Sequence, residues 1–421
     1  MGLTDKLVKF ATADVPEEAA AMIRLSLFDW AACGIAGAQD GALNSFRQAQ
    51  LVEEGPAHVF GGDAAGAAQA ALINGTLSHA LDFDDVHFAY GGNPSVVVLP
   101  AVIALAETLD VRLTDAVDAA TLGIEAAIMV GVWLGGEHSA AGFDVTATAG
   151  AFGATLAAAR VLGLDKPQTR HAIDLCASMA SGLAAQEGST GRALSAGLAA
   201  RTGVEAALWA QVGMTGPDKG AEGFGAAHHA EVIVVKPPRK EWQVSEITHK
   251  FHACCHGVHA TIEALSAAKI SADRIAGIKI RTNPRWIELC NNASPKNGRD
   301  ARFSYTQAAA MAVLGYSTGR IDAFSDEIMR DKDVRAVRNM TEVTADESLS
   351  SAQVLITLTL ESGEVRRLRH DLQSPMSLEN RAAKLREKVK GLLGETREEA
   401  LWQAVIGPEL DAVTACFGTM E

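Results

Sequence analysis

Residues 79 to 87 run His-Ala-Leu-Asp-Phe-Asp-Asp-Val-His, placing two imidazoles and three carboxylates in nine positions between alanine-rich apolar stretches. Groups of this kind move protons or hold cations, and unpaired charge is costly to bury, so the run marks a site segment. It continues through Phe88 to Ser95, a loop punctuated by Gly91, Gly92 and Pro94, before apolar periodicity resumes at Val96. A second cluster, Thr248 to His259, gathers four of the twelve histidines with Lys250, Cys254 and Cys255. A third polar stretch, Gln186 to Gly197, contains Arg192.

Each cluster has more than one reading. Alternating His, Lys and Cys in the second is compatible with a zinc site, but only His252/His256 and the outer histidines approach ligand spacing, and no HExxH glutamate is present. We therefore expect no metal. Adjacent cysteines are a poor iron–sulfur pattern. Cys255, flanked by His256 and Lys250, is either an activated nucleophile or a pocket wall, and Cys254 reads as a small buried residue. Arg192 is either a carboxylate clamp or a solvated arginine at a helix N-terminus. Asp84 or Asp85 could cap the following turn.

The elements that position these groups are mostly helical. From Pro16 to about residue 212, apolar residues recur three and four apart, as in Met22 to Phe28 and Ile124 to Leu134. Gly131, Gly135 and Gly153 within such stretches imply close helix approach. The Gly/Pro-rich passage from Gly213 to Lys240, including Val232 to Pro238, cannot sustain a long helix. Beyond it, Ile275 to Thr282 and Gln353 to Leu360 alternate with period two, and the second leads through Ser362-Gly363 into Glu364 to Arg369 as a hairpin. Helices are predicted near 257–268 and 303–314, and again from Ser377 to Lys390. The expected fold is mainly α: a large all-α helical domain over 1–245 and 377–421, with a smaller α+β domain over 246–376.

The 421 residues are 48% hydrophobic and 21% charged, with a formal charge of −14. Nucleic acid and anionic membranes call for a basic footprint, so neither is expected as a partner. No apolar stretch reads as a membrane span, no signal segment is apparent, and six dispersed cysteines suit a reducing cytoplasm.

Together the segments resemble the MmgE/PrpD family. The anchors are Asn74-Gly75 followed by His79 to Asp85, Asn93-Pro94-Ser95 with Leu99-Pro100-Ala101, Gly142-Phe143 with Thr146 to Leu164, Arg192 to Ala200, Lys250 to His259, and Arg302-Phe303-Ser304. Their order covers nearly the whole chain. The resemblance implies a homodimer in which an all-α domain carries a smaller α+β lid, with a polar site that uses neither metal nor cofactor. Family members include 2-methylcitrate dehydratase, cis-aconitate decarboxylase and iminodisuccinate epimerase, so the implied activity is a lyase, a dehydratase or decarboxylase, acting on a small di- or tricarboxylate. An isomerase or epimerase working by proton abstraction at Cα, and a catalytically silent binding homologue, are the alternatives.

Carried over by position, Asp82 and Lys250 match site residues, and Arg192 stands where many relatives have lysine. With His87 and His256, Asp82 and Lys250 form the expected catalytic set. Arg192, Asn93, Asp144, Cys255, His259 and Gln307 form the expected substrate-binding set. The departures are Asn93 and Asp144 at positions usually His, Val86 at a frequent Thr, Ser195 at a usual His, and Gln307 at a position that is Tyr in some relatives. Asp144 in a pocket would repel a polycarboxylate.

Overall fold

A computed structural model of the chain describes residues 2–228 and 242–418. The expected passage Val232 to Pro238 lies outside them. The chain separates into two compact units, Met1–His249 with Leu393–Glu421, and Lys250–Leu392.

The core of the larger unit is built of helices that are apolar on all sides, and such helices belong in an interior. Every residue from Ser95 to Ala106 is buried in the helix Ser95–Thr108, and so is every residue from Val145 to Ala159 in Val145–Val161. Small residues let these rods approach closely. A Cβ on Gly153 would lie 2.7 Å from the Ala127 Cβ and against the Gly123 carbonyl, and one on Gly131 would meet the Tyr90 ring. Gly135 behaves differently from its expected packing role: at φ 71° and ψ −172° it breaks the helix Leu113–Ala140, a conformation only glycine takes readily.

Glu17–Gly37 and Leu113–Ala140 are long and apolar enough to cross a membrane, correcting the expectation that no stretch reaches that length. Their apolar windows are 78% and 83% buried within the fold, as core helices require. A two-residue antiparallel pair, Ala57–His58 with Ala64–Ala65, is the one sheet feature among the unit's described residues.

In the smaller unit the strands lie in the order Thr341–Ala345, Ile275–Thr282, Gln353–Leu360, Val365–Asp371. The first pair is parallel and the others antiparallel. Period-two alternation buries Val354, Ile356, Leu358 and Leu360 on one face, against which the helix His259–Ala268 packs. The hairpin closes through Gly363 at φ 83°. The helix Leu378–Leu393 falls almost wholly in this unit, whereas the sequence segmentation assigned 377–421 to the larger one. Its buried Leu385 and Val389, and an ion pair from Lys384 to Glu263 at 2.5 Å, tie it there.

Replacing Gly153 with valine is expected to destabilise the protein by about 1–3 kcal/mol, because the added atoms meet backbone. A urea titration with an unchanged midpoint would refute this account of the helix contact.

Candidate functional site

In the larger unit the helix Ala67–Ser78 ends at His79, and the chain turns back so that the Asp82 amide donates to the His79 carbonyl at 3.2 Å. Asp82 takes φ 50° in this turn, a left-handed conformation that aspartate tolerates better than most residues. The turn directs Asp84 inward, where its Oδ1 lies 2.9 Å from His79 Nδ1, with both side chains only 1% exposed. Asp85 is buried too, accepting from Ser26 Oγ at 2.7 Å and Ser95 Oγ at 2.5 Å.

Burial pushes the Asp85 carboxyl up to about 7, against the two hydroxyl hydrogen bonds that favour its charge. Ser26 Oγ is also 3.1 Å from His249 Nε2, so a buried chain runs from Asp85 through Ser26 to the residue before Lys250. Sequence reading missed this chain, because Ser26 sits unmarked inside an apolar helix.

Arg192 occupies the first turn of the helix Thr190–Gln211, whose N-cap Ser189 accepts from the Gly191 amide. A cation there opposes the helix dipole. The compensation comes from carboxylates: Arg192 Nη1 lies 3.2 Å from Asp82 Oδ1 and 2.9 Å from Glu187 Oε1, while Nη2 reaches Asn93 Oδ1 at 3.5 Å. Burial disfavours the guanidinium charge, but Asp82, Glu187, Asp84 and Asp144 outweigh it and hold the charge firmly on. The solvated-arginine reading is thereby replaced by a paired, largely covered one. Glu187 escaped notice in the sequence, although it stands five positions before Arg192.

Two expected roles change. His87 donates and accepts within the loop, with Nε2 3.0 Å from the Gln243 carbonyl and Nδ1 accepting from the Tyr90 amide at 3.1 Å. Burial lowers it to about 4, so at neutral pH it is an uncharged brace with both nitrogens spent, and the catalytic role assigned to it is withdrawn. Asp144 caps the helix Val145–Val161 by accepting from the Thr146 amide at 3.0 Å, and acts on Arg192 through its charge. Asn93 is well placed, donating to the Asp85 carbonyl at 2.7 Å while accepting from Arg192. Ser195 bonds back to the Gly191 carbonyl within its helix.

In the smaller unit Lys250 is 2% exposed and opens the segment that leads to the helix His259–Ala268. Residues 253 to 255 are clamped: Arg302 Nε donates to the Ala253 carbonyl at 2.7 Å and the Cys255 amide to the Arg302 carbonyl at 2.9 Å. His259 stands edge-on to His252 and His256 at 4.9 and 5.0 Å. Burial and these neighbours hold it well below the usual imidazole range, and its Nε2 meets the Cys254 carbonyl at 3.2 Å. It is a neutral spacer. His256 is 8% exposed.

Cys254 is pushed up by burial, and Cys290 by a hydrogen bond with Cys255 and by burial, so both are inert thiols at neutral pH. Cys255 is half-buried beside them. Gln307 is 1% exposed and neither polar atom of its amide meets a hydrogen-bond partner among the described residues. Such an amide calls for a donor and an acceptor from a bound molecule.

Among the described residues, ligand-capable atoms of His79, Asp82 and Asp84 lie within 4.8 Å of one another, a spacing that could hold a divalent ion. Here Asp84 Oδ1 faces His79 Nδ1 and Asp82 is paired with Arg192.

Residues 2–230 match the MmgE/PrpD N-terminal domain and residues 252–406 the MmgE/PrpD C-terminal domain. The chain is 28% identical over 322 residues to the cis-aconitate decarboxylase of Aspergillus terreus, an alignment covering 71% of this chain and 63% of that protein. It is 29% identical over 290 residues to a cis-aconitate decarboxylase-like protein of Aspergillus oryzae, covering 62% and 60%. With the human cis-aconitate decarboxylase it shares 26% over 370 residues, covering 80% and 75%. The chain thus spans less than two thirds of the length of these fungal relatives.

Two buried carboxyls give the protein a pH signature. Burial raises Glu125 as well as Asp85 to about 7, from ordinary values of 4.5 and 3.8, despite amide donation to Glu125 from Gln243 and Val244. The folded state therefore keeps protons that the unfolded chain releases, and the stability they contribute is full below about 4 and lost as pH rises to about 7. Each group adds a downward slope of about 1.4 kcal/mol per pH unit within that window. Asp85→Asn is expected to flatten the dependence, measured by urea unfolding at pH 5, 6 and 7. Parallel curves for the variant and the parent would contradict the assignment.

Proposed function

We propose that this chain, which belongs to the MmgE/PrpD family, is a lyase that acts on a small carboxylate by changing the protonation of a carbon next to it. The observation that carries the reading is the Asp82–Arg192 pair at 3.2 Å, a carboxylate base beside a guanidinium on a strained turn. Removing a proton α to a carboxylate, or losing carbon dioxide from it, leaves an electron pair that a fixed cation stabilises. Arg192 supplies the cation. In a dehydration Asp82 takes the proton and, once protonated, gives it to the departing hydroxyl; in a decarboxylation no proton is taken, and a protonated Asp82 gives one to the carbanion. All these steps use protein groups alone. The names of the relatives make cis-aconitate the first decarboxylation substrate to test.

The test is a panel of mono-, di- and tricarboxylates in deuterated water, including cis-aconitate and 2-methylcitrate, followed for released carbon dioxide, new alkene and deuterium at Cα. At least one should be converted, and Arg192→Ala should lower kcat/KM by roughly 100-fold or more, the scale expected for losing a transition-state cation. Deuterium uptake without product would shift the reading to an epimerase. Full activity in Arg192→Ala would remove Arg192 from the mechanism, and an inert panel would sink the lyase reading.

A further inference from the structure

Arg192 faces more negative charge than it can neutralise. Asp82 and Glu187 share its Nη1, and the charges of Asp84 and Asp144 also bear on it. Asp84 and Asp144 are fixed: Asp84 is buried against His79, and Asp144 is held by its cap bond to Thr146 and by its own amide donating to the Gly182 carbonyl at 3.1 Å. Glu187 is the movable member. Its side chain is 59% exposed, and it stands between the short helical turn Ala184–Gln186 and Gly188, which takes φ 79°.

A substrate carboxylate can thus take Glu187's place on Arg192 as one negative charge for another. Further carboxylates on the same molecule would meet the remaining carboxylates at short range, where like charges weaken binding. An uncharged hydroxyl or carbonyl meets no such penalty and finds acceptors and donors in Asp82 and Asn93.

We propose that Glu187 is a resident carboxylate that occupies Arg192 until substrate displaces it, and that with Asp144 it restricts the site to monocarboxylates bearing an uncharged hydrogen-bonding group, at the expense of tricarboxylates. This rests on the reading of Arg192 as a substrate-carboxylate clamp. It narrows the di- or tricarboxylate class implied by the family resemblance.

The test is titration calorimetry on the full chain with 3-hydroxybutanoate and citrate, which share a hydroxyl β to a carboxylate and differ in the number of carboxylates. The parent should bind 3-hydroxybutanoate at least about tenfold more tightly than citrate, the scale of one unscreened charge contact. Glu187→Gln should tighten both ligands. Asp144→Asn, which keeps a cap residue, should tighten citrate by about tenfold and change 3-hydroxybutanoate little. Tighter citrate binding in the parent, citrate affinities within twofold in both variants, or no binding of either ligand to Glu187→Gln would overturn the proposal. Because binding is read without turnover, the expected order in a protein that converts no carboxylate would defeat only the lyase reading. Efficient conversion of a tricarboxylate with an unchanged KM in Glu187→Gln would defeat only this one.

Discussion

A carboxylate withdrawn from water needs a proton, a cation or several hydrogen-bond donors, and the larger unit withdraws Asp84, Asp85 and Glu125 to 1% exposure or less. Each is satisfied differently. Asp84 meets an imidazole, Asp85 takes two hydroxyls and a raised pKa, and Glu125 receives two backbone amides. These solutions fix the path of the chain. Glu125 holds Gln243 and Val244, His87 holds the Gln243 carbonyl, and Val86 pairs with Thr248, so the loop at 79–95 and the segment ending at His249 are braced to the same helices.

Such bracing depends on a rigid background. Ala and Gly dominate the buried faces, and the backbones approach until a single added methyl at Gly153 has no room. Interiors packed this closely do not drift to accommodate a misplaced charge. The strain that remains is local: Asp82 is held left-handed at the point where its carboxylate must face outward while Asp84 faces in. Three acidic residues within four positions thereby reach three environments, although the sequence presents them as near equivalents.

That difference explains what could be read in advance. Helices, the period-two strands and the hairpin follow from patterns that repeat along the chain, and the polar clusters stand out against an apolar background. The positions of Asp82 and Arg192 beside each other were legible only through the family pattern. His87 was misread because sequence shows an imidazole but not whether its nitrogens are already spent on backbone groups. Asp144 was seen as charge alone, whereas its side chain also starts a helix. Glu187 and Ser26 carry no pattern of their own and acquire meaning only from the partner that the fold brings to them.

The departure at Asn93 shows how a substitution can alter chemistry while keeping geometry. An amide donates through Nδ2 and accepts through Oδ1 at the same time, and here it does both, linking the Asp85 carbonyl to Arg192. An imidazole in that place could accept from the guanidinium only while neutral, so the link would come and go with its protonation. The amide makes it independent of pH. The position then serves to hold Arg192 in register with the aspartate loop, where Asp82 and Glu187 both reach its Nη1.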